Sequence, residues 1–227
     1  MVESSKSFTI KVWYCNIDRL TNADFKPLLK LLPEKLQEEV EYYQFEKDRK
    51  LRLGARLLLL KSLAEQGKET LLNDYTKNAV NKPVIPNWND FSISHSGDLV
   101  VFCESGSDVG IDLELITPLD FEDLASFFHP DEKEYIKSGD ISNRFYEIWV
   151  KKEAVLKAIG TGIINGLDAF SCLGNPIVVN DKKWYFYPLV MDERYMACVC
   201  SNQLFEEIIP EEVSPEHLIG SLLNKRD

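Results

Sequence analysis

Asp112 and Glu114 stand two residues apart in the run VGIDLELI at 109–116. The run alternates and is rich in β-formers, so both carboxylates point to one face of a strand, about 7 Å apart along the chain. Two like charges that close repel unless a cation or a shared proton relieves them. A hard divalent ion such as Mg²⁺ is the natural relief, since it takes oxygen ligands and accepts substrate phosphates as further ones. Two solvated acids on an edge strand are the plainer alternative. Glu153 offers a third carboxylate, and Lys157 follows it by four residues, so the two stack on one face of a helix with Trp149 one turn before them. Such a pair is either local stabilisation or an acid beside an ammonium that holds a phosphate oxygen. His95 lies between Ser94 and Ser96 and invites a nucleophile-and-base reading. No G-x-S-x-G elbow accompanies it, and His129 and His217 are the other two histidines, so serine-hydrolase chemistry is set aside. Lys47, Arg49, Lys50, Arg52, Arg56 and Lys61 crowd one segment with Asp48 opposing them, which is either a solvated face or an anion site.

The elements that must position these groups follow from periodicity and punctuation. Residues 8–15 alternate as a strand. From Pro33 to about residue 65 apolar positions recur at helical spacing (Leu36, Val40, Tyr43, then Leu53, Leu57, Leu60, Ala64), which predicts one helix or a kinked pair ended by Gly67. A polar, Pro-containing stretch at 78–89 leads into FSISHSG at 91–97 and LVVFC at 99–103, a strand, a turn and a strand. Residues 109–116 form another strand, 121–137 a helix, and 144–159 a stronger helix stopped at Gly160-Thr161-Gly162. Residues 184–188 and 195–200 read as strands, the second with Met196, Cys198 and Cys200 on one side. Glu206, Glu207, Glu211, Glu212 and Glu216 then follow without a basic residue between them and read as a solvated tail. The sum is an α+β protein, two helix-plus-strand segments in tandem.

Composition narrows the classes. At 227 residues, 44% hydrophobic and 28% charged, the chain is of globular type and too long for a stapled miniprotein. No window reaches the roughly eighteen apolar residues a membrane span needs, and the first residues lack a leader pattern, so a cytoplasmic location is expected. Cys15, Cys103, Cys172, Cys198 and Cys200 make no CxxC pair and read as reduced packing thiols. A net charge of −11 argues against nucleic acid. Its distribution is uneven: residues 1–108 hold 15 Lys and Arg against 16 Asp and Glu, the remainder 11 against 21.

Taken in order, Lys82-Pro83, the FSISHSG run, GIDLE at 110–114, FFHPDE at 127–132 and WVKKEAVLKAIGTG at 149–162 resemble the 4′-phosphopantetheinyl transferase superfamily, in its longer, pseudodimeric Sfp-like type. The resemblance implies two similar α+β half-domains with pseudo-twofold symmetry, here 1–108 and 109–227, and coenzyme A in the cleft between them. It implies Mg²⁺-dependent transfer of the phosphopantetheine arm to a serine of an apo carrier protein, releasing adenosine 3′,5′-bisphosphate, with Mn²⁺ as a possible substitute metal. On this chain the metal ligands would be Asp112, Glu114 and Glu153; Lys157 would meet the phosphates, and Glu153 is either ligand or general base. Lys82, Ser94 and His95 would meet coenzyme A, with a basic residue of the first long helix, near Arg52 and with Arg49 or Arg56 as alternatives, on the 3′-phosphate. The family's second basic residue after Pro33-Glu34-Lys35 is Glu38 here, which removes one cation from that end. An acidic carrier would dock on a local patch, for which Phe127, Phe128, Lys133 and Lys137 are candidates, and a monomer is expected. A catalytically silent relative that binds coenzyme A or a carrier is the alternative. The intact set Asp112, Glu114, Glu153 and Lys157 speaks against it.

Overall fold

A computed structural model of the chain describes residues 10–118, 121–160 and 166–223. Residues 8–9 of the expected first strand, and Thr161 and Gly162 of the last motif, lie outside them. In chain order the strands are β1 (Ile10–Asn16), β2 (Thr76–Lys77), β3 (Pro83–Val84), β4 (Asp90–Ser96), β5 (Leu99–Ser105), β6 (Val109–Leu115), β7 (Ile177–Val179), β8 (Lys182–Leu189), β9 (Tyr195–Ser201) and β10 (Glu211–Glu212). The helices are α1 (Asn22–Leu29), α2 (Glu34–Glu41), α3 (Glu46–Glu65), α4 (Glu122–Ala125), α5 (Pro130–Lys137), α6 (Ile141–Ile159) and α7 (Pro215–Leu223). No helix among the described residues is long and apolar enough to cross a membrane.

The strands form one four-stranded sheet in the order β10-β1-β5-β4, another in the order β6-β9-β8-β7, and a two-stranded β2–β3 ribbon. Helix α3 packs its leucines on the first sheet with Trp13, Phe91 and Phe102. Helix α6 packs on the second with Trp184, Phe186, Cys198 and Cys200. A third core lies between the halves, where Val12, Val101 and Cys103 meet Ile111, Leu113 and Val199. Strand β5 is thus covered on both faces, Val100 and Phe102 toward α3 and Val101 and Cys103 toward the second half, which is why it reads as a continuous apolar run. All five cysteines are buried and unbridged, and burial raises every thiol's pKa, in keeping with a packing role.

Three expectations need correction. The apolar Phe127-Phe128 pair does not continue one helix over 121–137. Pro130 opens a new one, α5, behind a capping box in which the His129 side chain accepts from the Asp131 amide and Glu132 accepts from the His129 amide. The acidic end of the chain is not a solvated tail. Strand β10 adds in parallel to β1, and Val213, Leu218 and Leu222 are buried in the first half's core, so the segment from residue 211 returns to that half. The basic run at 47–61 has more opposition than Asp48: Lys47 pairs with Asp98, Lys50 with Glu46, Lys61 with Glu65, and Arg56 with Glu39.

Candidate active site

Strands β4 and β6 lie side by side at the seam between the halves. The seam face of β4 is polar at every second residue, and β6 answers it. Asp90 Oδ2 accepts from the Val109 amide (2.9 Å), Ser92 Oγ from the Ile111 amide (3.1 Å) and Ser96 Oγ from the Leu115 amide (3.0 Å). The partner numbers rise together, so the two strands run in the same direction. Period-2 alternation sends Phe91 and Ile93 of β4 to the α3 side. It puts Gly110, Asp112 and Glu114 of β6 on the face opposite Ile111 and Leu113, toward α6. Gly110 is required there, because a Cβ would be driven into the backbone of Ala154 and Ala158. Asp140 caps the start of α6, and Gly160, in the left-handed region at φ 67°, ends it.

This packing brings all of the expected residues to one cavity of about 670 Å³, whose lining includes Arg52, Lys82, Ser94, His95, Asp112, Glu114, Glu153 and Lys157. Lys157 does not pair with Glu153, its neighbour on the helix. Its ammonium donates to Asp112 Oδ1 (2.6 Å) and Ser94 Oγ (2.9 Å), and Ser94 Oγ donates to the same carboxylate oxygen (2.8 Å). Lys82 donates to Asp90 Oδ2 (2.7 Å) and the Val109 carbonyl (3.3 Å), at the other end of the seam. Of the three arginines considered for an anion, Arg49 turns away to the carbonyls of Tyr43 and Gln44. Arg52, stacked on the Tyr43 ring, and Arg56, stacked on the Tyr75 ring, both line the cavity. Arg56 is buried and its Nε has no partner among the described residues, so it is a second candidate that helix periodicity alone does not separate from Arg52.

The electrostatics divide the cavity into two walls. Burial and then the charge of Asp112 raise the pKa of Glu153, with Lys157 opposing. Burial also raises that of Glu114, against hydrogen bonding from Ser96 and, more weakly, from the Trp149 side chain. His95 is lowered, first by burial and then by Arg52 and Lys157. Among the described residues no three His, Cys, Asp or Glu side chains form a ready-made metal cluster, although Asp112, Glu114 and Glu153 line the same cavity. Their chemistry nevertheless suits a hard cation: three carboxylates, one of them with a buried oxygen, Asp112 Oδ2, that has no hydrogen-bond partner, and two whose proton affinity is raised by crowding and burial.

Sequence reasoning did not find the residues that hold this wall together. Lys152, in the same motif as Glu153, points away from the cavity. It forms a buried ion pair with Glu132 (2.8 Å; side chains 1% and 0% exposed) and donates to the carbonyls of Leu167 and Phe170. The expected docking patch splits in two, with Phe127 63% exposed and Phe128 fully buried in an aromatic cluster with Phe145.

Comparison with known proteins gives two profile matches that divide the chain at the same seam. The profile described as 4′-phosphopantetheinyl transferase, N-terminal, matches residues 19–106, and that described as the 4′-phosphopantetheinyl transferase superfamily matches residues 108–200. A 4′-phosphopantetheinyl transferase of Aneurinibacillus migulanus is 34% identical over 143 residues, covering 60% of this chain and 59% of that protein. A putative 4′-phosphopantetheinyl transferase of Haemophilus influenzae is 34% identical over 166 residues, 69% of this chain and 70% of the other. The 4′-phosphopantetheinyl transferase Sfp of Bacillus subtilis is 30% identical over 146 residues, 61% and 64%. The matches thus span 59% and 64% of the lengths of the Aneurinibacillus and Bacillus proteins.

Proposed function

The chain belongs to the 4′-phosphopantetheinyl transferase superfamily, and from that premise we propose that it moves the 4′-phosphopantetheine arm of coenzyme A onto a serine of an apo carrier protein, releasing adenosine 3′,5′-bisphosphate. The observation that carries the reading is the single cavity at the seam, to which the first half brings the cationic wall of Arg52, Arg56, Lys82 and His95 and the second half the carboxylate wall of Asp112, Glu114 and Glu153, with Lys157 bonded to Asp112 among them. Coenzyme A is a polyanion with a pyrophosphate and a 3′-phosphomonoester, and charge-assisted hydrogen bonds from Arg, Lys and His are what hold such groups. Arg52, Arg56 and His95 would take the 3′-phosphate, and Lys82 and Lys157 the pyrophosphate.

Asp112, Glu114 and Glu153 would hold Mg²⁺, or Mn²⁺ in its place, whose role is to neutralise the pyrophosphate and stabilise charge on the departing bisphosphate. The carrier's serine oxygen attacks the β-phosphorus. A phosphorus–oxygen bond forms there as the bond to the bridging oxygen breaks, and adenosine 3′,5′-bisphosphate leaves with the bonding electrons. Lys157 faces the oxygens on which charge gathers and stabilises them electrostatically. The serine proton needs an acceptor, and Glu153 suits that role as well as it suits a cation. It is the one carboxylate of the three without a hydrogen bond or ion pair among the described residues, and its raised pKa makes it a stronger base than an ordinary carboxylate. The fold in this reading is the Sfp-like one, two halves related by a pseudo-twofold, in a cytoplasmic monomer.

The test is direct. Wild-type protein incubated with coenzyme A, Mg²⁺ and an apo carrier should add the mass of one phosphopantetheine arm to the carrier, read by intact-mass spectrometry. Asp112→Ala should abolish the gain while keeping its circular dichroism spectrum. A carrier of unchanged mass with the wild-type protein, despite measurable coenzyme A binding, would favour a silent binder.

A further inference from the structure

Ser96, at the end of the serine row on β4, makes two hydrogen bonds to β6 and has been given no chemistry. Ser96 Oγ accepts the Leu115 amide proton (3.0 Å) and donates to Glu114 Oε2 (2.8 Å). A hydroxyl has one proton to give and two lone pairs to receive with. The backbone of β6 therefore fixes the serine oxygen, and the serine's only proton goes to a carboxylate on the same strand, one residue away from the amide it accepts. Ser94 shares the second half of the arrangement one step back, its hydroxyl donating to Asp112 Oδ1, but its oxygen accepts from the Lys157 ammonium and not from an amide of β6. The two carboxylates on β6 are thus each held by a hydroxyl from the opposite half of the molecule, with offsets that match the strand register.

We infer that Ser96 is a positioning residue for Glu114: it fixes the carboxylate in the orientation in which its other oxygen faces a divalent cation. The inference rests on the metal role proposed above for Glu114. The supporting geometry is specific. A serine that merely glued the two strands together would need only the Leu115 amide, as Ser92 needs only that of Ile111. Ser96 instead spends its proton on the acid. Losing an outer-shell hydrogen bond of this kind commonly costs 10–100-fold in metal affinity.

The experiment is an electron paramagnetic resonance titration of Mn²⁺ into the full-length protein, with neither coenzyme A nor carrier present, for wild type, Glu114→Gln, Ser96→Ala, Ser96→Cys and Ser96→Thr. Ser96→Ala should bind Mn²⁺ at least about tenfold more weakly than wild type. Ser96→Thr, which keeps the hydroxyl, should restore most of the affinity. Ser96→Cys keeps the volume but gives up the strong donor, and should show the same loss if the alanine variant folds poorly. Calorimetric affinity for adenosine 3′,5′-bisphosphate, a ligand of the cationic wall, should not change in any Ser96 variant. Wild-type binding that Glu114→Gln weakens and Ser96→Ala and Ser96→Cys do not would overturn this inference and leave the metal role of Glu114 standing. No Mn²⁺ binding by wild type, or none lost in Glu114→Gln, would overturn both.

Discussion

The cavity disfavours the charged form of His95. Burial and the positive charges of Arg52 and Lys157 hold its pKa below 6.5, and Asp48 is the acid that opposes them. A phosphomonoester bound beside it reverses the balance, because an adjacent dianion favours imidazolium. Binding adenosine 3′,5′-bisphosphate should therefore take up a proton. Above pH 6.5, where the 3′-phosphate is already largely doubly charged, affinity should weaken as pH rises through the imidazole pKa of the complex and level off beyond it. Calorimetry at pH 7.5 in buffers of different ionisation enthalpy reads the uptake directly. His95→Gln should abolish it; wild-type binding without proton uptake would remove His95 from the phosphate site. The three lysines of the WVKKEAVLK motif show how little residue type says about role. Lys157 reaches the cavity, Lys151 pairs along α6 with the half-buried Glu147, and Lys152 is fully buried on Glu132 and two carbonyls. Removing one partner of a buried pair strands the other charge, so Lys152→Met should lower the unfolding free energy by about 3–5 kcal/mol in urea titrations. Lys151→Met should cost less than about 1 kcal/mol. Equal losses would show that the buried pair has no special weight.

The close approach of α6 and β6 sets the site's geometry at the scale of elements. Gly110 permits it, and Gly110→Ala should push the helix off the strand, carrying Glu153 and Lys157 away from Asp112. The expected outcome is a lower melting temperature by circular dichroism together with loss of carrier modification; a variant with wild-type melting and transfer would show that the contact is not needed. What the sequence disclosed at this scale follows the physics of periodicity. Asp112 and Glu114 share a face because strand side chains alternate, and Glu153 and Lys157 share one because a helix turns every 3.6 residues. The partner of Lys157 was not legible, since a local i,i+4 rule names Glu153 and only the packing of α6 on β6 names Asp112. Helix α1 was overlooked although Thr21 and Asp24 form a capping box. The break before α5 was signalled by Pro130 but masked by the apolar Phe127 and Phe128. Helix α7 was hidden by its acidic surroundings, although Ser214, whose hydroxyl accepts from the His217 amide, and Pro215 mark its start.

Across the whole molecule, the uneven charge seen in the sequence becomes a division of labour at the seam. Most of the cations facing the cavity come from the first half, Arg52, Arg56 and Lys82 among them, and the carboxylates come from β6 and α6 of the second. Neither half holds the cavity alone, and the chain's last strand and helix cross back to the first half. Motif order was enough to name the family and the wall residues. It did not show that Lys157 engages Asp112 and Ser94, or that serines of the first half hold the acids of the second, because both depend on contacts between segments far apart in sequence. The central claim is that these acids take one divalent cation opposite the cationic wall. Crystals grown with coenzyme A and Mn²⁺, measured above the manganese absorption edge, test it in one map. The account predicts a single anomalous peak bounded by Asp112, Glu114, Glu153 and the pyrophosphate, with the 3′-phosphate against His95 and the α3 arginines. Coenzyme A bound in the cavity with no peak beside those carboxylates, or a peak elsewhere on the molecule, would contradict it.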